Sequence, residues 1–170
     1  MRHLGKPQVA TIAAQARAFC QRLPADSPDV TQVQPALADL VRAETRDLGP
    51  AVTALGLTLV QWVRVTLDGA SAHARRVDSA HVRDVFSQIS TVLYNLDGAD
   101  PALVERALDP VHAPQPELMQ SLEDMLLDHQ SDGRPLDNAE LGVLYAIART
   151  AVAVLHDAYQ GRRAADQPNN

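Results

Sequence analysis

Two sets of side chains in this sequence have types and spacing that bear on chemistry. The first is Trp62, Arg64, Tyr94, Tyr145 and His156. Small-molecule pockets combine aromatic walls with a few polar groups, so these five suit a helical small-molecule-binding protein or an enzyme whose pocket opens between central helices. The second set is acidic: Glu117, Glu123, Asp124 and Asp128. On one helix they would offer a negative face, and such a face steers a basic partner toward it. The acids belong to a wider asymmetry. Residues 1–25 contain Arg2, Lys6, Arg17 and Arg22 and no acid, whereas residues 97–140 contain eleven acids against Arg106 and Arg134. A fold that brought these segments together would neutralise both internally.

Other chemistries lack their spacing. No Glu is followed by a His three residues later, as helical di-iron sites require, and no two histidines stand four apart. His129 and His156 fall near helix ends, where a histidine meets the negative end of the helix dipole. The glycines are scattered singly, so neither a phosphate-cradling loop nor a nucleophile elbow is present. Glu44 lies four residues after Leu40, at the edge of an apolar stripe; burial would raise its pKa, whereas exposure leaves it to water or an arginine. These patterns imply no metal, no cofactor and no catalytic residue.

Composition narrows the class further. Among 170 residues, 46% are hydrophobic and only 4% aromatic, a balance that suits closely packed helices better than a β-sandwich. A net charge of −6 argues against general nucleic-acid binding, which needs cations against phosphates. The single cysteine, Cys20, forms no intramolecular disulfide and sits at helical spacing from Ala16 and Leu23, as a buried thiol would. No apolar signal region opens the chain, and Ala51 to Leu67 is interrupted by Gln61 and Arg64, so the expectation is a cytoplasmic protein with no membrane segment.

The elements that must position these residues are legible from apolar periodicity and its punctuation. Val9, Ile12, Ala16, Phe19 and Leu23 make one stripe of a helix from Gln8 to Leu23, stopped by Pro24. A second helix carries Val33, Leu37, Leu40 and Val41, with Pro35 either in its first turn or at a break after a short leading turn; Leu48-Gly49-Pro50 ends it. Leu57 to Leu67 alternates as a strand would, yet length and neighbours favour a helix from Pro50 to Leu67 with a narrow polar stripe of Thr58, Gln61, Arg64 and Asp68.

Asp78 or Ser79 caps the next helix, whose Val82, Val85, Phe86, Ile89, Val92, Leu93 and Leu96 form a continuous apolar face. Asp100-Pro101 opens a short helix to about Leu108. Leu118, Leu122, Met125 and Leu126 mark a helix from Pro116 to His129, and Ser131 to Pro135 is a turn. Asp137 and Glu140 stand at capping-box spacing, flanked by Leu136 and Leu141, and open a last helix bearing Leu144, Ala148, Val152, Leu155 and Tyr159.

The expected architecture is all-α: a single-domain bundle of six to seven helices over residues 1–161, centred on the helices at 50–67, 79–96 and 137–161, followed by a disordered tail at 162–170. The expected function is a non-enzymatic interaction or regulatory module of adaptor, chaperone-like or immunity type, binding a basic partner protein through the acidic face. Apolar surface on the third or last helix would serve self-association as a homodimer.

Overall fold

The computed structural model describes residues 29–68, 76–95, 114–128, 130–131 and 134–165. Within them the chain is an all-α bundle. The helices are α1 (Val30–Val33), α2 (Pro35–Glu44), α3 (Pro50–Asp68), α4 (Ser79–Asn95), α5 (Pro116–Asp128) and α6 (Asn138–Ala165). A short antiparallel ladder, β1 (Gln130–Ser131) with β2 (Arg134–Pro135), occupies the turn before α6. The expected helices at Gln8–Leu23 and Asp100–Leu108, with Cys20 and His129, lie outside the described residues.

Local chemistry sets the boundaries. Pro35 lacks the N–H that would continue α1, so the chain breaks at Gln34 and restarts with proline in the first turn of α2. The side chain of Gln34 is buried, and its Oε1 accepts from the backbone N–H of Val77 at 3.0 Å, while Arg76 donates to the carbonyl of Gln32 at 3.1 Å. The break is thereby tied to the segment leading into α4. Gly49 reverses the chain between α2 and α3 at a φ of 95°, a conformation that costs other residues strain. The hydroxyls of Thr45 and Thr53 meet at 2.8 Å across that turn.

Asp78 caps α4, its Oδ2 accepting from Ala80 and His81 backbone donors. The capping box of α6 closes as its spacing requires: Glu140 Oε2 accepts from the Asp137 N–H and Asp137 Oδ1 from the Glu140 N–H, each at 2.9 Å.

The hub of the bundle is α6, which packs most extensively on α3 and α4 and also on α5 and α2. Both α4 and α5 run antiparallel to it. On the α4 side His81 faces Asp157 at 3.9 Å, while Ile89, Val92 and Leu93 approach Arg149. On the α5 side Gln115 meets His156 at 3.3 Å, and Glu123 meets Tyr145. The last turns of α4 and α5 therefore lie at the same end of the molecule, beside the first turns of α6. The core joins Leu37, Leu59, Trp62, Leu118, Leu122, Leu144, Ile147 and Leu155.

The run through Leu67 is helix, as its length and neighbours favour, and its polar stripe divides: Thr58 is exposed, whereas Gln61 is 5% exposed and Arg64 9%. Arg64 Nε donates to Gln61 Oε1 at 3.2 Å, so the two polar groups satisfy part of each other's demand within the interior. The expected centre changes: it is α3 and α6 without α4, because among the described side chains of α4 Val82 alone is fully buried. Finally, α6 continues through Gly161 to Ala165, past the residue that marked an end.

Among the described residues two stretches are long and apolar enough to cross a membrane, Pro50–Leu67 and Asn138–Tyr159. They are 61% and 56% buried inside the molecule, where each serves as core for the other.

Candidate functional site

The chemistry of this molecule gathers on the face of α6 that is flanked by α4 and α5. Tyr145 and Arg149, one turn apart, are half-buried there, and the Arg149 guanidinium carbon stands 5.7 Å from the centroid of the Tyr145 ring, within cation–π range. Burial and two charged groups set the phenol's titration. Burial pushes its pKa up from 10.0 to about 12; the positive charge of Arg149 opposes the rise, and the negative charge of Glu123 adds to it. The hydroxyl is shared by hydrogen bonding with both, donating to the Glu123 carboxylate and accepting from Arg149.

Beside Arg149 the surface opens into a hollow of about 170 Å³ lined by Gln88, Ile89, Val92 and Leu93 of α4 and by Arg149 itself. Large apolar side chains are exposed in the last turns of α4 and α5. Val92 is 49% exposed, Tyr94 81% and Leu127, at the end of α5, 74%. All three sit at the end of the bundle where α4 and α5 finish. The cause is visible in each helix. The apolar residues of α4 recur at both three- and four-residue steps and spread over a wider arc than α6 covers, leaving Val85, Phe86, Ile89 and Leu93 half-buried and Val92 outside. In α5, Leu126 and Leu127 are about 100° apart around the axis, so burying Leu126 turns Leu127 outward.

The four acids divide. Glu117 is half-buried in the first turn of α5, where the positive end of the helix dipole favours a carboxylate. Asp124, seven residues on and thus on the same side, is exposed and accepts from Gln120 at 3.3 Å. Asp128 closes the helix one turn later; its side chain lies outside the described residues. Glu123 is turned a quarter of the way round, toward Tyr145.

The five aromatic and polar candidates do not converge. Trp62 and Arg64 are in the core on α3, Tyr94 is on the surface of α4, Tyr145 lies under Arg149, and His156 bonds Gln115 near the other end of the α5–α6 contact. None of them lines the hollow. Among the described residues, no three His, Cys, Asp or Glu side chains come together in a way that could hold a metal ion. Of the residues missed from sequence, Ile89, Val92, Leu93 and Leu127 left a signal as surplus apolar positions on α4 and α5 and Arg149 as an arginine one turn after Tyr145, whereas Gln88 left none.

Compared with family models, curated proteins and solved structures, the chain finds no match in any of the three.

Proposed function

We propose that this chain is a non-enzymatic protein-interaction module that receives a partner protein across the end of the bundle where α4 and α5 finish. The supporting observation is the exposure of Val92, beside the hollow, and of Tyr94 and Leu127 in the last turns of α4 and α5. Single exposed apolar residues are ordinary, whereas a cluster of them marks a contact surface. Tyrosine at such a position contributes strongly once a partner excludes water from its ring.

Asp124, exposed on the second half of α5, adds negative potential on the side of this surface, in keeping with a net charge of −6, and would draw basic residues of the partner to its rim, whereas Glu117 stands at the other end of α5. Glu123 adds less outward field because it engages Tyr145.

The double variant Tyr94→Asp, Leu127→Asp tests the proposal. Both side chains are largely in solvent, so the helical circular dichroism spectrum should be unchanged. A partner recovered with the native chain and lost with the double variant is the expected outcome. Equal recovery by the two proteins would overturn the proposal.

A further inference from the structure

We propose that the hollow between α4 and α6 is the anchor pocket of this docking surface, and that it selects a partner segment carrying a leucine- or phenylalanine-sized side chain next to a carboxylate. This rests on the interaction role proposed above and adds the chemistry of the occupant.

Size comes first. An apolar cavity of about 150 Å³ in a protein holds one benzene, so a hollow of about 170 Å³ has room for one large apolar side chain. Pockets that enclose a whole small ligand run to about 300–1,000 Å³. Tyr94, two residues after Val92 on α4, is an exposed aromatic outside the hollow, where a molecule seated inside would not reach and a polypeptide would.

Charge then fixes the sign. The hollow has apolar walls from Ile89, Val92 and Leu93, a neutral amide from Gln88, and one ionised group, Arg149. A guanidinium is always charged and presents a planar fork of donors that matches a carboxylate in two places. Here the guanidinium is already held by the Tyr145 ring and hydroxyl, which use part of its donor set, so an anion would meet the remaining donors in a position that is already set. A helix with an apolar residue and an Asp or Glu three or four positions away offers both groups from one side. Its basic residues would meet the acids of α5, which stand on a different element from Arg149.

A phage-displayed library of random peptides about four helical turns long, selected on the immobilised full chain, provides the test. Recovered sequences should place Leu, Phe, Ile or Met within one turn of an Asp or Glu. Affinity for such a peptide should fall at least tenfold with Ile89→Lys and about tenfold with Arg149→Gln, and Arg149→Lys should restore part of it. Amide NMR signals of Ile89, Val92 and Leu93 in the native chain should shift on binding.

Basic peptides that depend on Asp124 and tolerate Arg149→Gln would overturn the anchor chemistry while leaving the interaction role standing. Self-association in sedimentation equilibrium that Ile89→Lys abolishes would also overturn it, by making a second copy the occupant. Failure to recover any peptide, together with partner recovery that ignores Tyr94→Asp, Leu127→Asp, would overturn both proposals.

Discussion

At the scale of single residues, the interior of this molecule holds polar groups of two kinds. The Thr45 hydroxyl is buried and bonded, donating to the Val41 carbonyl at 2.7 Å and meeting Thr53, whereas the Thr66 hydroxyl is buried with no hydrogen-bond partner. A buried donor left unmade costs about 1–3 kcal/mol, so Thr66→Val should stabilise the fold by about 1 kcal/mol and Thr45→Val should destabilise it by a similar amount. Thermal unfolding decides; a lower melting temperature for Thr66→Val would refute the assignment. Tyr145 gives a second prediction. Below pH 10 the phenol is neutral in folded and unfolded chains alike and its contribution is complete. From pH 10 to about 12 the unfolded chain ionises first, so stability should fall through that window. Absorbance at the tyrosinate band should show an ionisation near 12 that disappears in Tyr145→Phe.

At the scale of elements, two glycines inside helices make opposite demands. A Cβ on Gly56 of α3 would lie 2.8 Å from Val41 Cγ1 and 3.4 Å from Leu144 Cδ2, because α2 and α6 close on α3 at that point. The valine is short, branched and buried, so it has nowhere to move, and Gly56→Ala should destabilise by about 1–3 kcal/mol. At Gly142 in α6 a Cβ meets nothing within 4 Å, and alanine there should stabilise by about 0.5–1 kcal/mol through helix propensity. Denaturant midpoints for the pair should move in opposite directions. The helix boundaries were legible because caps and prolines act within a few residues: Asp78, Asp137, Glu140 and Pro35 do in the structure what their spacing requires. The burial of Gln61 and Arg64 was not legible, since a polar stripe on a helix reads as a solvent face until its neighbours are known.

At the scale of the whole molecule, α3 and α6 form the buried centre and α4 lies against it with one fully buried residue, Val82. Resistance to opening follows buried apolar contact, so amide hydrogens in α4 should exchange faster than those in the middle of α3 and α6. Equal protection across all three helices in hydrogen-exchange mass spectrometry would show that the contacts of α4 with α6 and α2 hold it as firmly as the centre. A bound partner should raise the protection of α4 and the end of α5 selectively. The half-covered face of α4 thus links stability and proposed function: a helix with this much apolar surface gains from a second contact that α6 does not supply.

By itself the sequence determined the all-α class and most of the described helix boundaries, the end of α6 excepted, because periodicity and capping are properties of neighbours along the chain. Tertiary structure alone decided that Glu123 turns to Tyr145, that Arg149 borders a hollow while Trp62 and Arg64 are interior, and that the exposed Val92, Tyr94 and Leu127 fall toward one end of the bundle. Those outcomes depend on which helices are adjacent and on their antiparallel alignment along α6. No spacing within a single helix encodes the distance to a residue on another.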